Sequence, residues 1–358
     1  MSEELEYAVL HEFVAPARRN LSRATWDYLM GAAETETTFL RNRSAIDAIV
    51  LRPRVLRNVE KVDTSARLLG RKLELPIILA PIGSLQDIAT GGGSVATRAA
   101  ARANVLHMLS SVCAPGLEAV AAVNDHPKIF QLYVRGDAAW VDAYVERVIA
   151  ARYIALALTV DLDYYGRRER DLAKRYRSTA RRSAPADHFQ ARFCWADVAR
   201  LRRKFAIPII LKGIATAEDA KLAVEHGVAA VYVSNHGGRQ LDHGNGAIAV
   251  LPEIVEAVHG RAEIVVDGGF MRGTDIVKAK ALGADAVGLG RLQGLALAAG
   301  GEPALLRMLA LLRDEIERCL GLLGVTSFAE LDRSYVAAAP AIARSALDSA
   351  FPLLREGY

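Results

Sequence analysis

The sequence predicts an α/β fold: a (β/α)8 TIM barrel with N-terminal helices and a C-terminal helical tail, formed as a single domain over residues 1–358. Three observations lead there. Eight short apolar runs recur between Leu75 and Gly290, each followed by a segment of helical periodicity. The runs do not alternate polar with apolar residues, which suits strands buried on both faces of a parallel sheet. No GxGxxG follows an early strand, as a doubly wound dinucleotide fold would want.

The elements follow in order. Residues 1–50 form an N-terminal helical segment, with apolar residues at helical spacing and few breakers from position 4 onward. The barrel core spans 75–300. Its first strand, LPIILAP (75–81), precedes GSVATRAAARAN; VLHMLSS (105–111) precedes PGLEAVAAV; KIFQLYV (128–134) precedes AAWVDAYVERVIAA. YIALALTVD (153–161) leads through a polar stretch to WADVARLRRKF, and IPIILKG (207–213) to TAEDAKLAVEHG. VAAVYVSN (228–235) precedes AIAVLPEIVEAVHG, AEIVVDGG (262–269) precedes TDIVKAKALG, and ADAVGLG (284–290) opens the helical tail, over about 302–346. Besides that tail, residues 162–194 also break the rhythm. That connection is basic and too long for an ordinary turn, so it is expected to be an active-site lid.

Composition narrows the function. Hydrophobic residues make up 52% and charged residues 24%, enough apolar content for a large core. The 45 basic and 41 acidic residues balance too evenly for a nucleic-acid binder. Cys113, Cys194 and Cys319 are an odd set without a CxxC, which predicts a reduced, cytoplasmic protein with no structural metal. The N-terminal MSEELEYAVLHEF does not read as a signal peptide, and no run reaches the roughly 18 apolar residues of a membrane helix.

Active sites of such barrels sit at the C-terminal strand ends. Read in order, those ends are Pro81-Ile82-Gly83, Ser110-Ser111, Gln131 with Tyr133, Thr159 with Asp161, Lys212-Gly213, Ser234-Asn235-His236, Asp267-Gly268-Gly269 and Gly290-Arg291. Nearly every strand delivers a polar group to one face. The glycine-rich seventh and eighth ends, with Arg291, suit a phosphate; the plainer reading is tight turns. Lys212 suits a Schiff base, a counter-charge to a reduced cofactor ring, or an ion pair with a carboxylate such as Asp267. His236 can accept a proton near neutral pH, with Asp161 to orient it, and Arg239 can hold a carboxylate. No metal site is expected, because nothing stands at ligand spacing from His236.

The stretch SNHGGRQLD (234–242), together with QLY (131–133), GRR (166–168), LKG (211–213), DGG (267–269) and LGR (289–291), resembles the FMN-dependent 2-hydroxy acid oxidase/dehydrogenase family. The likeness runs from about Ala24 to Val336 in the family's order. It implies FMN as cofactor and oxidation of an L-2-hydroxy acid to the 2-oxo acid. His236 would be the base, with Asp161 behind it; Arg239 and Arg168 would hold the carboxylate; Tyr28 and Tyr133 would contact carboxylate or hydroxyl. Lys212 would face the flavin N1/O2 edge. Pro81, Ile82, Gly83, Ser110, Gln131 and Thr159 would line the ring, and Asp267, Gly269, Gly290 and Arg291 the ribityl phosphate. The electron acceptor would be oxygen, a quinone or a redox protein, and the assembly a homo-tetramer.

Departures from the family carry their own expectations. Met271 stands where an arginine normally reaches the phosphate, so Arg272 is expected to take over or FMN to be held more weakly. Val112 replaces a tryptophan that covers the substrate in glycolate oxidases, leaving room for a side chain larger than glycolate's. Gly83 stands where alanine is frequent, which bears on oxygen reactivity. Two other readings remain: a barrel isomerase or lyase using Lys212 on a phosphorylated substrate, and a flavin-binding barrel without catalysis.

Overall fold

A computed structural model of the chain describes residues 7–182, 188–342, 346–351 and 353–354. Its centre is a closed barrel of eight parallel strands in sequence order: β1 (Ile77–Leu79), β2 (Leu106–Ser110), β3 (Lys128–Leu132), β4 (Ala155–Thr159), β5 (Ile209–Ile214), β6 (Ala230–Val233), β7 (Glu263–Val266) and β8 (Ala286–Leu289). Closure comes from β8 against β1, with Val287 opposite Ile77 and Leu289 opposite Leu79. Most strands are shorter than the apolar runs that announced them. Pro76 and Pro81 bracket β1 and Pro208 precedes β5; proline has no N–H to give a ladder.

Ile78, Met108, Ile129, Ala157, Ile210, Tyr232, Val265 and Ala286 fill the barrel interior. Their strand neighbours, such as Leu79, Leu109, Phe130 and Leu158, point outward into the apolar faces of the surrounding helices. Both faces of every strand are therefore dry, which explains the absence of alternation in sequence.

Two helical expectations are corrected. The N-terminal segment holds the expected helices, α1 (Val14–Asn20), α2 (Arg23–Met30) and α3 (Thr37–Asp47), but its end, Ile49–Leu51, is a strand. Helix α2 stops at Gly31, which is extended and lies so close that a side chain there would meet the Asp27 carbonyl at 2.5 Å. The tail is helical only over Arg291–Leu323, broken at Gly300–Gly301, and ends where Gly324 adopts φ +77°. Beyond it, Val336–Ala338 pairs antiparallel with Ile49–Leu51. Helix Arg291–Leu323 is the one described helix long and apolar enough to cross a membrane, contrary to the reading of the apolar runs. Its residues from Leu292 to Leu323 contribute a large buried set to the core, which accounts for that apolarity.

The 162–194 connection carries three short helices, Glu169–Ala173, Thr179–Arg182 and Phe189–Arg192; positions 183–187 of the expected lid lie outside the described residues. It is fastened to the N-terminal segment. Arg170 pairs with Glu36 at 2.5 Å and with Asp27 at 3.5 Å, and Lys174 also pairs with Asp27.

Candidate active site

The SNHGGRQLD segment leaves the end of β6 and each polar residue in it has a separate task. Ser234 Oγ donates to Asp267 Oδ1 at 2.6 Å, and accepts from Lys212 Nζ at 2.9 Å and from the His236 N–H at 3.0 Å. Asn235 exchanges hydrogen bonds with Asn42 of α3 at 2.8 and 2.9 Å. Gly238 sits at φ +79°, where a side chain would strike the backbone nitrogen of Phe39 at 2.5 Å. Gln240 donates to the carbonyls of Asp161 and Tyr164. Asp242 accepts from the Thr38 N–H at 2.7 Å and from Thr35, so it caps the start of α3. The segment thus ties N-terminal helices to the barrel mouth while presenting His236 and Arg239.

His236 itself sits at φ +57°, a left-handed conformation that aims its ring back over the barrel. Its Nδ1 lies 3.0 Å from Asp161 Oδ1, and its Nε2 lies 3.3 Å from the Tyr133 hydroxyl. A carboxylate can only accept, so Nδ1 carries the hydrogen and Nε2 presents its lone pair toward the cavity. Burial lowers the imidazole's pKa, an effect that Asp161 opposes but does not cancel. Burial works against the charge on Asp161 as well, yet His236 and Lys212 hold its carboxyl below the usual range. The pair is therefore a neutral base backed by an ionised carboxylate. Tyr133 stays a neutral phenol, its pKa raised by burial and then by Asp161.

Arg168 and Arg239 face the same cavity, of about 610 Å³, which Tyr28, Ile82, Val112, Tyr164 and Tyr165 also line. Arg239 donates from Nη1 to the Tyr28 carbonyl at 2.6 Å and sits 4.9 Å from the Tyr28 ring centre. Arg168 stacks on Tyr165 at 4.1 Å and bonds its hydroxyl. Burial, and after it Arg168, depress the pKa of Arg239. Two neighbouring cations in a part-buried mouth are relieved by one carboxylate that both can bind. The Tyr28 hydroxyl donates to the Gly83 carbonyl at 2.9 Å, beside this position.

FMN fits the remainder of the site. Among the described residues, both amide ends of Gln131 and the hydroxyl of Thr159 are buried without a protein partner, which is what the polar edge of a heteroaromatic ring would satisfy. Ser110 is buried with them, while Pro81, Ile82 and Gly83 line the cavity. Lys212 also lines it and reaches Asp267 Oδ2 at 3.4 Å, the ion pair that sequence allowed for. At the far end, Gly269, Gly290 and Arg291 surround the space expected for a phosphate. Arg291 gives one N–H from each nitrogen to the carbonyls of Met30, Gly237 and Gly31, at 2.8–3.2 Å. A guanidinium has five N–H donors, so two remain for an anion. Burial lowers its pKa to about 9, leaving it charged at neutral pH.

Arg272 is the correction. It pairs with Glu315 at 2.6 Å and donates to the Ala350 carbonyl at 3.0 Å, outside the cavity. It sits at the N-cap of helix Gly273–Ala281, and its side chain reaches across to Glu315 on the helix Arg291–Leu323. Met271 lines the cavity in its place, 3% exposed. Sequence reading also left Tyr165 and Tyr232 unremarked. The first lies in the irregular connection, and the second reads as one more apolar strand residue.

A parallel barrel whose mouth combines a neutral base, paired guanidiniums and a flavin-sized socket defines an oxidoreductase working through a bound organic cofactor. Known proteins narrow this further. A family model described as FMN-dependent dehydrogenase matches residues 17–338, and the chain belongs to that family. It is 38% identical to glycolate oxidase of Spinacia oleracea over 357 residues, covering 93% of this chain and 96% of the relative. It is 39% identical to 2-hydroxyacid oxidase 2 of Rattus norvegicus over 339 residues, covering 90% and 96%. A crystal structure of mandelate oxidase superposes with a TM-score of 0.87 at 36% identity, over 94% of this chain and 100% of that one. The protein is thus an FMN-dependent enzyme that oxidises 2-hydroxy acids, and neither the isomerase nor the non-catalytic reading is favoured.

Proposed function

We propose that the enzyme oxidises an L-2-hydroxy acid with a side chain larger than glycolate's, using His236 as the base. The observation that carries this is the His236–Asp161 pair facing Arg168 and Arg239 across one cavity. Arg168 and Arg239 hold the carboxylate and fix which carbon meets Nε2 of His236. That nitrogen accepts a proton as the α-carbon is oxidised, and Asp161 stabilises the imidazolium that results. Tyr133 and Tyr28 contact the substrate's oxygens, and Lys212 presents positive charge to the cofactor ring. FMN, when bound, supplies the two-electron acceptor that no side chain offers.

Room for the larger side chain lies beside Val112, Ile82 and Tyr164, all lining the cavity. The structural likeness to mandelate oxidase, including a complex with benzoyl-formic acid, supports an aromatic acid as the size class. Oxygen, a quinone or a redox protein reoxidises the cofactor. A cytoplasmic location belongs to the same proposal and rests on three unpaired cysteines. A homo-tetramer rests on the family resemblance. The test is an anaerobic visible titration with glycolate, lactate, mandelate and 4-hydroxymandelate. Bleaching by mandelate-sized acids at concentrations where glycolate has no effect is expected. Bleaching by glycolate alone overturns the size assignment.

A further inference from the structure

Among the described residues Tyr232 is the largest fully buried side chain, and it lies inside the barrel directly below the site. On β6 it stands in register with Lys212 of β5, so both side chains point inward from adjacent parallel strands. The Lys212 ammonium lies 5.0 Å from the Tyr232 ring centre. The phenol then crosses toward β8. Its hydroxyl lies 1.7 Å from where a Cβ on Gly288 would be, so only glycine at 288 leaves room for it. Among the described residues that hydroxyl has no partner at full hydrogen-bonding geometry, and the Asp267 carboxylate beside the same gap is the acceptor it faces.

These contacts leave Lys212 in an unusual balance. Its contact with Asp267 is 3.4 Å, longer than the roughly 2.7–2.9 Å of a tight charged pair. Its short contact is the neutral Ser234 hydroxyl at 2.9 Å. A ring face attracts a cation without neutralising it, whereas a carboxylate at full contact would. Burial, and after it Asp267, keep the Tyr232 phenol protonated, so no further negative charge enters.

We propose that Tyr232 is a positioning residue for Lys212: its ring holds the ammonium at the cavity wall, 3.4 Å from Asp267 and short of full contact with it. The positive charge that favours the reduced, anionic ring of FMN is thereby kept available. The inference rests on the reading of Lys212 as the residue facing that ring.

The test is the equilibrium constant for two-electron reduction of the bound FMN, measured against a reference redox dye without substrate. Tyr232→Leu removes the ring, and the constant is expected to fall roughly three- to thirtyfold, the range that a desolvated cation–ring contact spans. Tyr232→Phe keeps the ring and is expected to stay within about twofold of the parent. An unchanged constant in Tyr232→Leu overturns the inference. So does a fall in Tyr232→Phe as large as that of Lys212→Met, because the hydroxyl and not the ring would then matter; this arm stands even if the leucine variant fails to fold. Lys212→Met separates the two readings. If it leaves the constant unchanged, the assignment of Lys212 to the ring fails first.

Discussion

The imidazole of His236 lies 3.0 Å from Oδ1 and 3.2 Å from Oδ2 of Asp161, a residue 75 positions earlier in the chain. The contact fixes both the tautomer and the aim of the ring. It also sets a pH dependence. Burial places the imidazole's pKa below its ordinary value of 6.5, with Asp161 pulling the other way. The active base is the neutral form, so kcat/KM is full above that pKa and lost as pH falls through it. An acid limb with its inflection below 6.5 is expected in a pH–rate profile. Asp161→Asn removes the opposing influence, moving the limb lower while kcat/KM falls by roughly a hundred- to ten-thousandfold.

Met271 leaves the phosphate end with Arg291 as its cation, since Arg272 is engaged by Glu315. Met271→Arg adds a guanidinium beside Arg291 at the phosphate end of the cavity. The dissociation constant for FMN, read by quenching of flavin fluorescence on addition to apoprotein, is expected to fall roughly tenfold or more. Arg272→Ala is expected to leave it unchanged.

Val112 lines the cavity near Ile82 and Tyr133. Val112→Trp fills that space. The kcat/KM for mandelate is expected to drop by roughly ten- to a hundredfold, and that for glycolate to change little, in parallel steady-state assays.

The barrel was legible because its strands are dry on both faces, so each apolar run stood out between amphipathic helices. The polar strand ends pointed to the mouth before any contact was known, and His236, Asp161, Lys212 and Arg239 meet there. Other features depend on partners far along the chain. The direction of Arg272 is decided by Glu315, 43 positions away. The break before α2 carries a local signal, the Ser22 cap on Thr25, whereas the stop at Gly31 also involves its carbonyl accepting from Arg239 and Arg291 of the barrel mouth. Tyr232 looks apolar in sequence, and its position below Lys212 emerges only when β5 and β6 pair.

Asp242 shows how the same motif serves stability. Burial opposes its charge, but the Thr38 N–H, the Thr35 hydroxyl and neighbouring N–H groups hold its carboxyl well below the usual carboxylate range. A depressed folded-state pKa contributes stability above the unfolded value of about 3.9, and that contribution disappears as pH falls below it. Asp242→Asn is expected to cost about 1–3 kcal/mol at pH 7 in denaturant unfolding. The gap between parent and variant should narrow as pH drops from 5 toward 3.

The most direct test of the account is anaerobic rapid mixing of His236→Ala with the best 2-hydroxy acid, following flavin absorbance. The variant is expected to bind FMN, bind the acid, and leave the flavin oxidised over times in which the parent is fully bleached. Flavin reduction at the parent's rate would contradict the assignment of His236 as the base.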